Sequence, residues 1–355
     1  MHLGAFMMPS HPPERGIAEG LRWDLDHLAL LDRLGFEEAW IGEHYTAPWE
    51  PCPAPDLLIA QALMRTERMK LCPGAHLLPY HNPVELAHRV AYLDHMAQGR
   101  YMLGVGISAL GSDLQLFGVD AEHGENRRMT LEALDVMLQL WHDGPRAMQT
   151  EHWKMGAVET DFDFLKYHLR PYQKPHPPIG IAGLSPNSET LKLAGERGFL
   201  PLSISLNPKH TASHWASIEA GAARSGRTPN RKDWRLVREI YIADTDEKAR
   251  KQVREGAMGR CWREYLLPFY LGNGFVDHFK VDPADADSEV TVDYLVEKSW
   301  FVGSTSTVID KLGQLQHDTG GFGGLLVMTY DFSTEQGAWE ESLNRLVEDV
   351  LPHFA

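Results

Sequence analysis

The sequence contains few cysteines and no long apolar run. Its 355 residues include three cysteines, Cys52, Cys72 and Cys261, and no CxxC pair. This scarcity argues against a disulfide framework or a cysteine zinc site and fits a reducing cytoplasm. No apolar run approaches the roughly 18 residues of a membrane span, and the start MHLGAFMMPS lacks the basic region of a signal peptide. We therefore expect a cytoplasmic protein.

Basic residues are scarce relative to acidic ones. The chain has 34 Lys and Arg against 49 Asp and Glu, which gives a formal net charge of −15. Such an excess of negative charge repels the phosphates of nucleic acids and the surface of anionic membranes. The charge balance therefore argues against both as partners.

Two common catalytic signatures are missing. The chain has no GxSxG pentapeptide of a serine hydrolase, and the first predicted strand lacks the HxH of a metal-dependent barrel hydrolase. His76, His81, His88 and His95 could still indicate a metal site, since three of them recur every seven residues. However, His81 precedes the helix that would carry the others, so we predict no metal site.

The segment GVGISA, residues 104–109, matches the loose dinucleotide-binding pattern GxGxxA. A lone match is weak, and a Rossmann site needs a helix directly after the glycines. Gly111 and Gly118 interrupt the following LGSDLQLFG, so we predict no clear helix there. We therefore predict no Rossmann site.

Short apolar runs, each followed by a longer amphipathic stretch, recur eight times along the chain. Nearly continuous apolar strands suit a parallel sheet that is buried on both faces. Eight such units favour a closed barrel over an open doubly wound sheet. We therefore predict an α/β fold with a single (β/α)8 barrel domain over residues 1–355. The predicted strands are residues 3–8, 37–43, 69–78, 101–107, 178–183, 199–205, 235–243 and 323–331, and the predicted helices are residues 17–35, 54–66, 83–97, 127–141, 186–197, 208–225, 245–257 and 334–351.

Two stretches interrupt this repeat. Residues 144–177 read as an irregular excursion or hairpin, and residues 258–302 are rich in aromatic and charged side chains. Insertions in such barrels usually fold over the C-terminal mouth, where the chemistry takes place. We predict that residues 258–302 form a mobile lid, with permanent packing against the barrel or between subunits as the alternative.

Aromatic and polar residues follow the second predicted strand, in WIGEHYTAPWEPCPAP. The strand ends at Ile41, so His44 emerges at the C-terminal rim, where an imidazole could act as a general acid or base or hold a ligand oxygen. A surface or helix-capping histidine is the alternative. The neighbouring Trp40, Tyr45 and prolines predict a rigid aromatic loop that suits a flat apolar ligand.

Two further segments fit a cofactor site. In PGAHLLPYHNP, residues 73–83, proline and glycine predict irregular backbone, which a flat cofactor would need and a simple bulge would also explain. In AGLSPNSETLKLAGERG, the fifth strand ends at Gly183 and Ser185, Asn187 and Ser188 precede or open a helix. Such a helix start can bind a phosphate, or it can be an ordinary capped N-terminus.

Several segments together resemble the luciferase-like flavin monooxygenases, and most closely the limonene 1,2-monooxygenase or alkanal monooxygenase-like group. They are LGAFMMPSHPPE, GFEEAWIGEH, HNPVELAHRVAYLDHMAQGRYMLGVG, NRRMTLEALDVMLQLW and PPIGIAGLSPNSETLKLAGERG. The resemblance runs from residue 1 to about 260, is weak over 262–298 and resumes at FVGSTSTVIDKLGQL.

The resemblance implies an FMN-dependent two-component monooxygenase. A separate NAD(P)H:flavin reductase would supply reduced FMN, which reacts with O2 to a C4a-hydroperoxyflavin. The enzyme, expected as a homodimer, would then oxygenate a small apolar substrate (a terpene, ketone or aldehyde) by epoxidation, hydroxylation or a Baeyer–Villiger reaction. A deazaflavin-dependent hydride-transfer enzyme of the same fold and a non-catalytic flavin-binding relative are the alternatives.

The resemblance also implies roles for individual residues. His44 would be the catalytic histidine, and a non-proline cis peptide between Gly74 and Ala75 would lie beneath the flavin. Ile107 stands where bacterial luciferase has a phosphate-binding arginine. The phosphate would therefore rely on the residues around Gly183. The complete expected set is Gly74, Ala75, Gly106, Gly183, Leu184, Ser185 and Ser188 for the cofactor, and Phe6, Met8, Trp40 and Tyr45 for the substrate pocket.

Overall fold

A nearly closed parallel sheet forms the centre of the fold. The computed structural model describes residues 1–354, in which the strands of this sheet are ordered β3-β2-β1-β13-β10-β9-β8-β5-β4. Leu71 in β3 also forms a parallel bridge with Tyr101, beside β5, which brings the two edges of the sheet together. The predicted (β/α)8 barrel is confirmed. The strands are β1 His2–Met7, β2 Glu38–Ile41, β3 Lys70–Pro73, β4 His76–Leu77, β5 Leu103–Gly106, β6 Met148–Gln149, β7 Lys154–Met155, β8 Ile179–Gly183, β9 Leu200–Ser203, β10 Arg235–Arg238, β11 Ile240–Ile242, β12 Phe301–Gly303 and β13 Gly324–Thr329.

Helices surround the sheet and cover its outer face. Several begin at a side chain that accepts hydrogen bonds from the first turn, such as Asn82, Asn207 and Thr245, which satisfies backbone N–H groups that have no partner within the helix. In residues 1–354, no helix is both long and apolar enough to cross a membrane. The helices are α1 Ile17–Arg33, α2 Pro55–Ala62, α3 Pro83–Ala97, α4 Gly111–Phe117, α5 Glu125–His142, α6 Glu189–Arg197, α7 Pro208–Arg224, α8 Asp246–Glu255, α9 Ala257–Cys261, α10 Leu267–Gly272, α11 Val292–Tyr294, α12 Thr305–Thr319 and α13 Gln336–Arg345.

The barrel interior is filled by side chains. Trp40 is the largest of them and is 1% exposed. Its ring packs against Gly104 and Gly180, where a Cβ atom would lie 3.2 Å and 2.3 Å from ring carbons, so larger residues there would collide with it. This cluster closes the barrel beneath its C-terminal mouth. Its buried members are Phe6, Trp40, Cys72, Met102, Leu202, Val237 and Leu326.

A buried ion pair lies where β2 and β10 begin, at the opposite end of the barrel. Arg235 donates from Nε to Glu38 Oε1 at 3.0 Å and from a terminal nitrogen to Oε2 at 3.2 Å. His2 Nε2 lies 2.9 Å from Oε2 of the same carboxylate. Strands β1 and β13 lie between β2 and β10, so the pair forms over Gly4 and Gly324, at the end of the barrel where all of these strands begin.

The expectation of no helix after GVGISA was wrong. Helix α4 spans Gly111–Phe117, and its C-cap Gly118 has a φ of 68°. The two glycines therefore bound the helix instead of interrupting it, because glycine readily adopts the left-handed conformation that ends helices. The first turn of this short helix carries Asp113, a residue of the candidate active site.

The two interruptions of the repeat both contain secondary structure. Residues 144–177 include the antiparallel pair β6 and β7, so the predicted hairpin is present. Residues 258–302 are largely helical, with α9 running into α10 through a π-helical turn at Trp262–Leu266. Trp262 is buried against Phe279 and Trp300. Much of the aromatic content of this insertion is therefore packed inside the protein.

Candidate active site

His44 lies at the C-terminal rim between two carboxylates. Its Nδ1 is 3.1 Å from Asp113 Oδ2, and its Nε2 is 3.4 Å from Glu50 Oε2. Burial by itself would lower the pKa of His44, but the hydrogen bond to Asp113 and the charges of Glu50 and Glu43 outweigh it and raise that pKa above its usual value. These two carboxylates therefore favour the protonated form of the ring.

Asp113 organises the loop that carries His44. This fully buried residue in the first turn of α4 accepts backbone hydrogen bonds from Tyr45 at 3.2 Å and from Thr46 at 2.7 Å. The Thr46 hydroxyl donates to the same carboxylate at 2.5 Å. Asp113 was not predicted as a site residue, because no helix was expected there. An acidic residue in the first turn after a rim glycine was the available signal.

Three aromatic rings form a wall beside His44. Tyr45 packs edge-on against Phe117, with 4.7 Å between ring centroids, and against Tyr80 at 5.6 Å. Tyr80 stacks on Phe117 at 4.2 Å and donates its hydroxyl to Ser108 Oγ at 2.6 Å. All three rings are partly exposed. Tyr45, which the sequence analysis placed in the substrate pocket, thus lies beside the catalytic candidate.

A surface of small residues lies at the mouth. The peptide bond between Gly74 and Ala75 is cis, as the resemblance implied. These two residues are partly exposed, as is Gly106 at the end of β5. Of the other predicted pocket residues, Met8 is partly exposed after β1 and contacts Gly42. Phe6 and Trp40 are both buried in the interior cluster, which places them beneath this surface rather than in an open wall.

The start of α6 combines a cap with exposed polar groups. Ser188 is the N-cap, and its hydroxyl accepts from the backbone N–H of Leu191 at 3.3 Å. The contacts of Ser188 are therefore those of an ordinary helix cap. Gly183 is buried, Leu184 is partly exposed and Ser185 is exposed at the rim.

Three basic side chains lie near the start of α6. Lys192 bonds to Glu189 in the first turn and lowers the pKa of that exposed carboxyl, with weaker contributions from Arg224 and Arg127. Arg127 follows Asn126, whose side chain donates to the backbone carbonyls of Ile107 and Ser108. Arg127 thus lies near Ile107, the position at which the family resemblance predicts a phosphate-binding arginine. The sequence analysis did not single it out.

Glu43, His76 and His81 form a buried cluster with the composition of a metal site. Glu43 lies 2.8 Å from His76 Nδ1 and 2.7 Å from His81 Nε2. Arg89 is 3.2 Å from His81 Nδ1, and a guanidinium can only donate, so the hydrogen of a neutral His81 is on Nε2 and points to Glu43. Burial opposes ionisation of Glu43, but its bonds to the histidines lower its pKa to about 2. Glu43, His76, His81 and Arg89 therefore form a hydrogen-bond network.

The insertion over residues 258–302 reaches the mouth. Tyr265 donates its hydroxyl to Glu50 Oε2 at 3.0 Å. Its ring is stacked on Trp49, with 6.0 Å between centroids and 2° between planes. The insertion is therefore connected to the carboxylate that faces His44.

The chain is similar to known monooxygenases over almost its whole length. Residues 1–321 match the family described as Luciferase-like monooxygenase. The 3,6-diketocamphane 1,6-monooxygenase of Pseudomonas putida is 32% identical over 99% of this chain and 98% of that protein. Limonene 1,2-monooxygenase of Rhodococcus erythropolis is 34% identical over 99% of this chain and 86% of that protein.

Solved structures show the same likeness. The oxygenating constituent of 3,6-diketocamphane monooxygenase from Pseudomonas putida, a type II Baeyer–Villiger enzyme in complex with FMN, has a TM-score of 0.92 and 31% identity, covering 99% of this chain and 98% of that one. A coenzyme F420-dependent secondary alcohol dehydrogenase has a TM-score of 0.72 at 18% identity, covering 100% and 99%. The second likeness shows a shared fold alone.

Proposed function

The chain belongs to the luciferase-like monooxygenase family, and from this premise we propose that it is an FMN-dependent monooxygenase that inserts oxygen into a cyclic terpenoid ketone. The observation that carries the proposal is His44, held between Asp113 and Glu50 at the C-terminal rim of the barrel. The full-length similarity to diketocamphane and limonene monooxygenases supports the reaction and the substrate class.

The residues present fit FMN. Gly74, Ala75 and Gly106 offer a surface of small residues against which a planar ring can lie. Backbone N–H groups at the start of α6, with Leu184 and Ser185 before it, can bind a phosphate, and Arg127 and Lys192 supply nearby positive charge. Gly183 and Ser188 shape this turn, the latter as the helix cap.

Reduced FMN, when bound, supplies the electrons that activate dioxygen, and the chain controls where this happens. His44 can donate a proton or a hydrogen bond from Nε2, because Asp113 already occupies Nδ1. The wall of Tyr45, Tyr80 and Phe117 excludes water on one side of the site. An apolar ring ketone fits such a wall, whereas a charged substrate would lose its hydration there.

Substrate choice can be tested with a panel of compounds. We expect purified protein, given reduced FMN from any NAD(P)H:flavin reductase, to convert bicyclic ketones related to camphor to lactones and to act less readily on limonene. Product analysis by gas chromatography and mass spectrometry measures both. Conversion of limonene without conversion of any ketone would favour epoxidation as the reaction. Conversion of neither would refute the proposed substrate class.

Two partners belong to the same proposal. A reductase supplies the reduced flavin, since a relative of this chain is the oxygenating constituent of its system. A second copy of the chain would cover exposed apolar side chains of helices α2 and α3 and of the turn after α2. They are Leu57, exposed by 66%, Met64 by 86%, Tyr92 by 62% and Met96 by 47%. Exposed apolar patches often mark subunit interfaces. The free cysteines fit a location in the cytoplasm.

A further inference from the structure

The Nε2 nitrogen of His44 faces Glu50, which lies on the loop after β2. A neutral imidazole carries one N–H group and can donate to one carboxylate, whereas an imidazolium donates to two. With Asp113 at 3.1 Å from one nitrogen and Glu50 at 3.4 Å from the other, both carboxylates are within reach. The pair of carboxylates therefore favours the charged ring and fixes its orientation.

The two carboxylates differ in how firmly they are held. Asp113 accepts hydrogen bonds from the backbone and side chain of the loop that carries His44. Glu50 instead contacts side chains from three separate segments: Tyr265 at 3.0 Å, Ser10 at 3.5 Å and His44 at 3.4 Å. Asp113 is therefore the partner of Nδ1 that the His44 loop itself holds in place, whereas Glu50, the group that faces Nε2, depends on side chains from other segments.

Tyr265, which lies in the insertion over residues 258–302, holds Glu50 in position through its hydroxyl. Its ring stacks on Trp49, which precedes Glu50 in the chain. Arg260 lies 5.7 Å from the centre of the Trp49 ring and pairs with Glu14 at 2.7 Å. Burial, together with the charge of Glu50, raises the pKa of Tyr265 well above its usual value, so the hydroxyl remains a donor at neutral pH.

We propose that Glu50, oriented by Tyr265, is a positioning residue that holds Nε2 of His44 in the barrel mouth and links residues 258–302 to that histidine. Two carboxyl groups contact His44, Asp113 from α4 and Glu50 from the loop after β2. The charge of Glu43, whose oxygens bond to other histidines, also acts on His44 from the adjacent position in the chain. Removing one of these negative charges lowers the pKa of the imidazole. Only the kinetic consequence of this inference rests on the proposed function.

The direct test is an NMR pH titration of His44 in flavin-free protein, with the His44→Gln spectrum used to assign its ring signals. We expect Glu50→Gln to lower the pKa of His44 by at least about one unit, the low end of the effect of a nearby opposite charge. Tyr265→Phe should lower it by less, because the charge remains but loses its orientation. Tyr270→Phe is the matched control, since it removes a hydroxyl from the same insertion, and it should leave the titration unchanged.

Two results would overturn the inference. One is a His44 titration in Glu50→Gln that coincides with that of the wild type. The other is an equal shift in Tyr265→Phe and Tyr270→Phe, which would assign the effect to general disturbance of the insertion. If Glu50→Gln fails to fold, Glu50→Asp and Tyr265→Phe serve instead. Each keeps a carboxylate near His44 but alters its placement, so each should lower the pKa of His44, and a wild-type titration in both would overturn the inference.

Kinetics provide an independent readout. The pH profile of kcat for ketone oxygenation should move in Glu50→Gln in the same direction as the His44 titration, with little change in KM. A changed KM with an unmoved pH profile would contradict a positioning role. Absence of oxygenation with every ketone would refute the proposed function alone, because the titration of flavin-free protein would still decide the role of Glu50.

Discussion

The ion pair between Glu38 and Arg235 allows a quantitative prediction about the stability of the barrel. Glu38 is 0% exposed and Arg235 is 8% exposed, and two hydrogen bonds join them. Burial opposes the charge of Glu38, but its bonds to His2 and Arg235 lower its pKa from 4.5 to about 2. At roughly 1.4 kcal/mol per pKa unit, this shift corresponds to about 3 kcal/mol.

We expect Glu38→Gln to lower the free energy of unfolding by about 3 kcal/mol at pH 7, because removing one partner of a buried ion pair leaves the other charge unpaired. The matched control is Glu37→Gln. Glu37 also pairs with His2, but its side chain is 57% exposed. Exposed pairs contribute at most about 1 kcal/mol. Urea unfolding followed by tryptophan fluorescence measures both variants.

The pH dependence gives the sign of the effect. A carboxyl whose folded pKa is depressed stabilises the protein above its unfolded pKa and loses this contribution as the pH falls through the folded value. The difference between wild type and Glu38→Gln should therefore shrink as the pH falls from about 4.5 toward 2, and it should also decline at high pH, where His2, whose pKa Glu38 raises, loses its proton. Equal losses in Glu38→Gln and Glu37→Gln, or a difference that grows as the pH falls from 4.5 toward 2, would refute this reasoning.

Three further predictions concern the site and its cover. His44→Ala should keep the fold and lower turnover at least about tenfold; unchanged kinetics in a flavin-binding variant would remove His44 from the mechanism. Ser188→Asp should keep the helix cap, since Asp also caps helices, and weaken FMN much more than riboflavin; equal weakening would place the phosphate elsewhere. Amide exchange over residues 258–302 should slow when reduced FMN and a ketone bind; equal protection with and without them would show that these residues are not a lid.

Much of the fold could be predicted from the sequence because strands buried on both faces are recognisable as apolar runs. Each of the eight predicted strands overlaps an observed one, and residues 235–243 split into β10 and β11 around the buried Glu239. The helix α4 was missed because glycine inside a pattern and glycine at a helix end look alike in one sequence. The observed φ of Gly118 distinguishes them.

The site was only partly predictable, for a physical reason. His44 could be located because its position depends on where one strand ends. Its partners Asp113 and Glu50 come from other loops, and only the closed barrel brings them together. Trp40 illustrates the same limit, since side-chain alternation turns it into the barrel interior rather than toward the open mouth.

The central claim is that this chain uses reduced FMN and dioxygen to oxygenate an organic substrate. The most direct measurement mixes the protein with reduced FMN under anaerobic conditions, adds a bicyclic ketone and admits ¹⁸O-labelled dioxygen. We predict one ¹⁸O atom in the product and less hydrogen peroxide per reduced FMN than without ketone. Hydrogen peroxide as the sole product, with no label in any organic compound across the ketone panel, would contradict the claim.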